Sequence, residues 1–96
     1  MTEAHRLTDI CTGHGCYPPR PNADGSPDVY VNNLKWHRQT DPWNGHACPP
    51  SPSHTGRLSK GSSTVYVNNL QAGRIGDPVS CGSAAATGSP NVFAGG

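Results

Sequence analysis

Apolar and polar residues alternate along this chain in short runs with a period of two, as in Val29-Tyr30-Val31 and Val65-Tyr66-Val67. That period places successive apolar side chains on one face of a strand. Ten Pro and twelve Gly interrupt the chain so often that the longest stretch free of both runs only from Asp28 to Asp41. Helix is nearly excluded, and the pattern predicts an all-β chain of short strands joined by Pro/Gly-rich loops.

The alternation is also repeated. Ser26-Pro27-Asp28-Val29-Tyr30-Val31-Asn32-Asn33-Leu34 returns 36 residues later as Ser62-Ser63-Thr64-Val65-Tyr66-Val67-Asn68-Asn69-Leu70. Asn-Asn between apolar residues suits a two-residue hairpin turn, since such turns need positive φ and Asn tolerates it. With Asn32-Asn33 as the loop, Val31 opposes Leu34 and Val29 opposes Trp36, while Tyr30 and Lys35 share the other face. The second copy pairs Val67 with Leu70 and Val65 with Ala72.

Each return strand then reaches an Arg three residues before an Asp: Arg38 and Asp41, Arg74 and Asp77. The same pattern opens the chain at Arg6 and Asp9, and its missing first strand is found at the other end, in Ser89-Pro90-Asn91-Val92-Phe93-Ala94-Gly95-Gly96. The expected fold is a small conical domain over residues 1–96, with three hairpins about a pseudo-threefold axis. One of the three is closed by pairing the two terminal segments.

Composition shows what such a fold lacks. Leu, Ile, Val and Phe supply 13 of 96 residues, below the roughly 20% at which disorder becomes a serious reading. Disorder also wants high net charge, whereas seven basic and six acidic residues leave +1. A poor core must therefore be supplemented by a disulfide, a structural metal or oligomerisation. Four Cys and five His make the first two available. Residues Met1 to Leu7 lack the apolar run of a secretory signal, so synthesis in the cytoplasm with reduced thiols is expected. The chain has no transmembrane stretch and no Lys/Arg cluster, so nucleic acid is not an expected partner.

Three connections join the hairpins, over residues 10–25, 42–61 and 78–88, and each carries a ligand-type residue near one offset. His14 lies five residues after Asp9, His46 five after Asp41, and Cys81 four after Asp77. Around an axis these positions converge. His54 is the favoured fourth ligand, because Cys48, the alternative, sits too close in sequence to His46 for easy tetrahedral chelation by both. Four protein ligands would make a closed, structural site rather than a catalytic one. His5 and His37 read as surface or packing residues, Cys11 and Cys16 as small buried residues in preference to a local disulfide or alternative ligands, and the Arg/Asp repeats as strand-end ion pairs or backbone hydrogen bonds. No phosphate loop, His-x-x-x-His helix or deaminase pattern is present. The Pro-rich stretches 16–21 and 48–52 read as stiffeners of the ligand-bearing loops.

Arg6-Leu7-Thr8-Asp9, Gly13-His14-Gly15, the two Val-Tyr-Val-Asn-Asn-Leu hairpins, Arg74-Ile75-Gly76-Asp77-Pro78 and Cys81-Gly82-Ser83 together resemble the PAAR-repeat family. Its members are the tips of type VI secretion spikes and related contractile phage tails. The literal Pro-Ala-Ala-Arg is replaced by Lys35-Trp36-His37-Arg38 and Gln71-Ala72-Gly73-Arg74, and bulky Trp36 is expected to alter the contact with a spike. The resemblance implies a non-enzymatic cone that caps a trimeric β-helical spike, one tip per trimer, and pierces a membrane by transient contact. Effector proteins are further possible partners. It implies one metal, zinc by preference with iron admitted, on His14, His46, His54 and Cys81. Two rival classes are a zinc-stabilised protein-recruiting module and a small metalloenzyme with water as fourth ligand; a disulfide-stapled secreted protein is a third.

Overall fold

The computed structural model describes residues 2–49 and 51–95. Met1, Pro50 and Gly96 lie outside the described residues, and with them the last position of the C-terminal repeat and the middle of the second Pro-rich stretch. Eight strands form four antiparallel two-stranded sheets. β1 (Thr2–Glu3) pairs with β8 (Phe93–Ala94), β2 (Tyr30–Val31) with β3 (Leu34–Lys35), β4 (Pro42–Cys48) with β5 (Ser51–Arg57), and β6 (Tyr66–Val67) with β7 (Leu70–Gln71). The described residues contain no helix. The molecule is elongated, 39 × 23 × 22 Å.

The expected registers are observed. Val31 faces Leu34 and Tyr30 faces Lys35; Val67 faces Leu70 and Tyr66 faces Gln71. Both Asn-Asn pairs have positive φ, 53° and 67° in the first turn and 53° and 66° in the second, which is the conformation that lets a two-residue loop follow strand twist. The terminal segments pair as Thr2 with Ala94 and Glu3 with Phe93. In each hairpin the second residue of the outgoing strand is buried (Val31, Val67, Ala94), while the residue before it is exposed (Tyr30, Tyr66, Phe93).

The three hairpins are held to one another by polar contacts that recur copy by copy. Ser26, Ser62 and Ser89 are buried, and each Oγ accepts the N–H three residues on, of Val29, Val65 and Val92, at 2.9 Å. The Arg/Asp pairs are bidentate forks: Arg6, Arg38 and Arg74 each donate to both carboxylate oxygens of Asp9, Asp41 and Asp77. The pairs are largely buried rather than exposed, with side-chain exposures of 8–16%. Each guanidinium then reaches a neighbouring hairpin, at Asn32 Oδ1, Asn68 Oδ1 and the Gly95 carbonyl.

At the centre, three peptide groups close a cycle. His5 N–H donates to Gly73 O, Gly73 N–H to His37 O, and His37 N–H to His5 O, at 3.0, 2.8 and 3.0 Å. A Cβ at Gly73 would lie 2.5 Å from the His37 oxygen and 3.0 Å from Leu58, which explains why the third copy carries Gly where the others carry His. Trp36 is drawn into this centre through Nε1, which donates to Gly73 O at 2.9 Å.

One expectation fails. Residues 42–61 were expected to form a connecting loop, yet they contain the longest hairpin, β4–β5. Pro and Gly are depleted from strands, and the alternation here is broken by register shifts between Trp43 and His46 and between His46 and Cys48. Pro42 occupies the first strand position, where its missing N–H does least harm. This hairpin carries Trp43 into a small core with Cys11, Leu58, Val79 and Ala85.

His5 and His37 are fully buried against Trp43, at ring centroid distances of 5.0 and 5.2 Å. His37 Nδ1–H donates to Asp24 O at 2.8 Å, while its Nε2 has no partner. Burial, set against that hydrogen bond and reinforced by nearby His5, lowers its pKa to about 4. The unfolded chain therefore takes up this proton below about pH 6.5 while the folded one does not, and stability is lost as pH falls toward 4. The full span corresponds to about 3 kcal/mol. Urea titrations with chelator present should show wild type losing stability between pH 7 and 4.5 more steeply than His37→Gln. Equal slopes would refute the assignment.

Candidate metal centre

Three separate folding signals carry the candidate ligands to one place. His14 sits at the start of a tight turn in which His14 N–H donates to Tyr17 O at 3.1 Å and Tyr17 N–H returns to His14 O at 2.9 Å. Gly13 precedes it with φ 72°, and a Cβ there would lie 2.5 Å from Tyr17 O. Only glycine fits. His46 and His54 face one another across β4–β5, a direct cross-strand pair whose side chains share one face. Cys81 comes from the turn in which Gly82 N–H donates to Val79 O and Val79 N–H to Ser83 O, with Gly82 at φ 106°.

The result is one group in which a ligand atom from each of His14, His46, His54 and Cys81 lies within 4.8 Å of the others. His54 Nε2 is 2.9 Å from His14 Nε2 and 2.6 Å from His46 Nε2. His46 Nδ1 lies 2.8 Å from the Pro18 carbonyl. A carbonyl only accepts, so the proton sits on Nδ1 and the Nε2 lone pair faces the cluster. A cation placed among the three ring nitrogens would be held by the lone pairs that converge there. Tetrahedral zinc, with Zn–N bonds of 2.0–2.1 Å, asks for ligand nitrogens about 3.3 Å apart. The donor set fits a metal with a slight opening of the His pair.

Electrostatics favours the unprotonated donors. His54 is lowered from its ordinary value by burial first, then by His46, His14 and Arg20. At Cys81 burial acts to raise the thiol, but hydrogen bonds from Ser83 and Arg20 outweigh it and hold it below the usual range. Metal binding needs these same deprotonated forms.

Two residues were not legible as part of the site. Tyr17 lies against all three imidazoles, its ring centroid 4.8, 5.0 and 4.2 Å from those of His14, His46 and His54. Arg20, buried, contacts the sulfurs of Cys11 and Cys81. Both belong to the Pro-rich stretch 16–21. His5 and His37 are not in the cluster and serve packing.

The cysteines divide differently from expectation. Cys11 is buried, as expected, but Cys16 is exposed and forms a disulfide with Cys48. The reason is positional: each lies two residues beyond a cluster histidine, so the convergence of His14 and His46 brings both thiols together. Cys48 is accordingly committed to sulfur while His54 occupies the cluster. Thiol titration of the denatured, chelated protein should find two free thiols without reductant and four with it. Four in both cases would rule out the disulfide.

An all-β chain of small hairpins thus gathers three His and one Cys from three segments into a group that could hold a metal ion. The PAAR-motif family model matches residues 12–86 and 49–96, and the chain belongs to the PAAR-motif family. That family is associated with spike tips of type VI secretion and is structural rather than typically enzymatic. No curated protein matches the chain significantly.

Proposed function

We propose that this chain is a metal-stapled tip that caps a trimeric β-helical spike of a contractile injection machine and sharpens it for piercing a membrane. The observation that carries the reading is the convergence of His14, His46, His54 and Cys81 in a chain of this family. Four protein donors complete a tetrahedral shell and leave no position for substrate, which favours a structural role over a metalloenzyme. The metal, zinc by its His/Cys donors, supplies a cross-link between segments that bury little apolar surface of their own.

The capping half of the reading is supported by the three hairpins. Each repeats the same outward aromatic position, in Tyr30, Tyr66 and Phe93, with exposures of 54, 56 and 43%. A single chain with three similar outer surfaces suits a partner made of three chains about one axis. Transient contact with the target membrane would then be mechanical. No helix of the described residues is long and apolar enough to cross a bilayer.

Two measurements test the two halves. Elemental analysis should find one zinc per wild-type chain, and His14→Ala or Cys81→Ser should lose it with a sharp fall in melting temperature, because metal affinity is folding free energy in such sites. Unchanged zinc in both variants would contradict the ligand set. Light scattering of the complex with a trimeric spike should give one tip per three spike chains; three bound tips would defeat the capping model.

A further inference from the structure

Arg20 is a buried arginine, 5% exposed, whose donors are turned toward sulfur rather than carboxylate. Nη1 donates to Cys11 Sγ at 3.0 Å and to Ser83 Oγ at 3.2 Å, Nη2 to Cys81 Sγ at 3.4 Å, and Nε to the Asn44 carbonyl at 2.7 Å. Its guanidinium carbon stands 5.2 Å from the Trp43 ring centroid. The four ion pairs of the described residues involve other cations, Arg6, Lys35, Arg38 and Arg74.

These contacts join the segments that supply the candidate ligands. Arg20 itself follows His14 on the first connection; Asn44 precedes His46 on β4; Cys81 and Ser83 lie on the third connection. Ser83 Oγ accepts from Arg20 and lies 3.6 Å from Cys81 Sγ, so its own O–H is free to point at that sulfur. The space is kept open by Gly56, where a Cβ would lie 3.2 Å from Cys81 Sγ and 3.4 Å from Arg20 Nη2. A lysine could supply the charge but not the fork, whose planar donors reach three segments at once.

We infer that Arg20 is a positioning residue of the metal centre: its guanidinium fork, with Ser83, hydrogen-bonds the Cys81 sulfur and fixes it toward the three imidazoles. The inference rests on the metal-site reading above. Hydrogen bonds to a metal-bound thiolate draw electron density from sulfur and orient it, and losing such a support weakens metal binding by about 10- to 100-fold.

The test uses the full chain loaded with Co²⁺, whose thiolate-to-metal charge-transfer band reports electron density on sulfur. Arg20→Met, which keeps an unbranched apolar stem, should move that band to lower energy and weaken Co²⁺ and Zn²⁺ affinity by about 10- to 100-fold. Arg20→Lys should behave alike, and Ser83→Ala should shift the band in the same direction by less. A purely structural arginine would change melting temperature and leave the band in place. The proposal is overturned if either Arg20 variant keeps the wild-type band and an affinity within twofold of wild type. Should Arg20→Met and Arg20→Lys fail to fold, Ser83→Ala decides, and an unmoved band there overturns it. A wild-type chain that binds Co²⁺ without a thiolate band would instead refute Cys81 as ligand, and with it the reading on which this inference stands.

Discussion

Around the middle of the molecule the peptide groups of His5, His37 and Gly73 hydrogen-bond in a closed cycle, and most of the fold can be read as a consequence. Three strands can meet this way only if each turns its N–H to one neighbour and its C=O to the other. No edge is then left unpaired at the centre, as an isolated hairpin would leave it. The cycle also fixes where everything else must go. The Arg that follows each central residue turns back to the Asp three positions on, and its remaining donor reaches a neighbouring hairpin. Hairpins as short as two residues per strand are marginal alone; joined through the cycle, each becomes the support of another.

Such a molecule is stabilised by satisfied polar groups more than by apolar burial. Its apolar cluster consists of Cys11, Trp43, Leu58, Val79 and Ala85, whereas the polar Ser26, Ser62, Ser89, Asn22, His5 and His37 are as deeply buried. A buried polar network holds only if its members are paired, since an orphaned donor or acceptor costs about 1–3 kcal/mol. The pairing here is dense. Asn22 alone donates to His5 Nε2 and to Arg6 O, and accepts from Thr8 N–H. The forks are stronger than exposed ion pairs because both partners are shielded and both carboxylate oxygens are used. At Asp9, burial pulls the carboxyl up, and the hydrogen bonds from Arg6 and Thr87 with the Arg6 charge more than reverse it.

What could be read from the sequence followed from repetition. Val31, Asn32, Asn33 and Leu34 occur again as Val67, Asn68, Asn69 and Leu70, so strand, turn and register were each specified twice, and the terminal pairing followed by completing the third copy. The gathering of His14, His46 and Cys81 was legible for the same reason, through their offsets from Asp9, Asp41 and Asp77. The part that occurs once was misread. β4–β5 has no second copy, its alternation is broken by two register shifts, and its Pro and Gly suggest a loop. Arg20 gave no signal because it occurs once and meets Cys81 across 61 positions, and Tyr17 because nothing in the repeat marks a ring that packs on His46 and His54 as well as on nearby His14.

The repeated and the unrepeated parts of the chain therefore solve one problem by different means. Near the central cycle the repeat supplies three copies of the Arg/Asp fork and of the buried Ser contact, and the cycle joins them. In the region of β4–β5 the repeat stops, one hairpin stands without equivalents, and cross-links take over. Cys16–Cys48 ties the turn after His14 to the end of β4; the His/Cys cluster, which could hold a metal ion, gathers the same two segments with β5 and the connection bearing Cys81; Arg20 hydrogen-bonds across three of them. One of the linked residues, Cys81, packs against the small apolar cluster to which β4 contributes Trp43. In a chain whose composition cannot provide a large core, the rigidity of this part rests on such links together with that cluster.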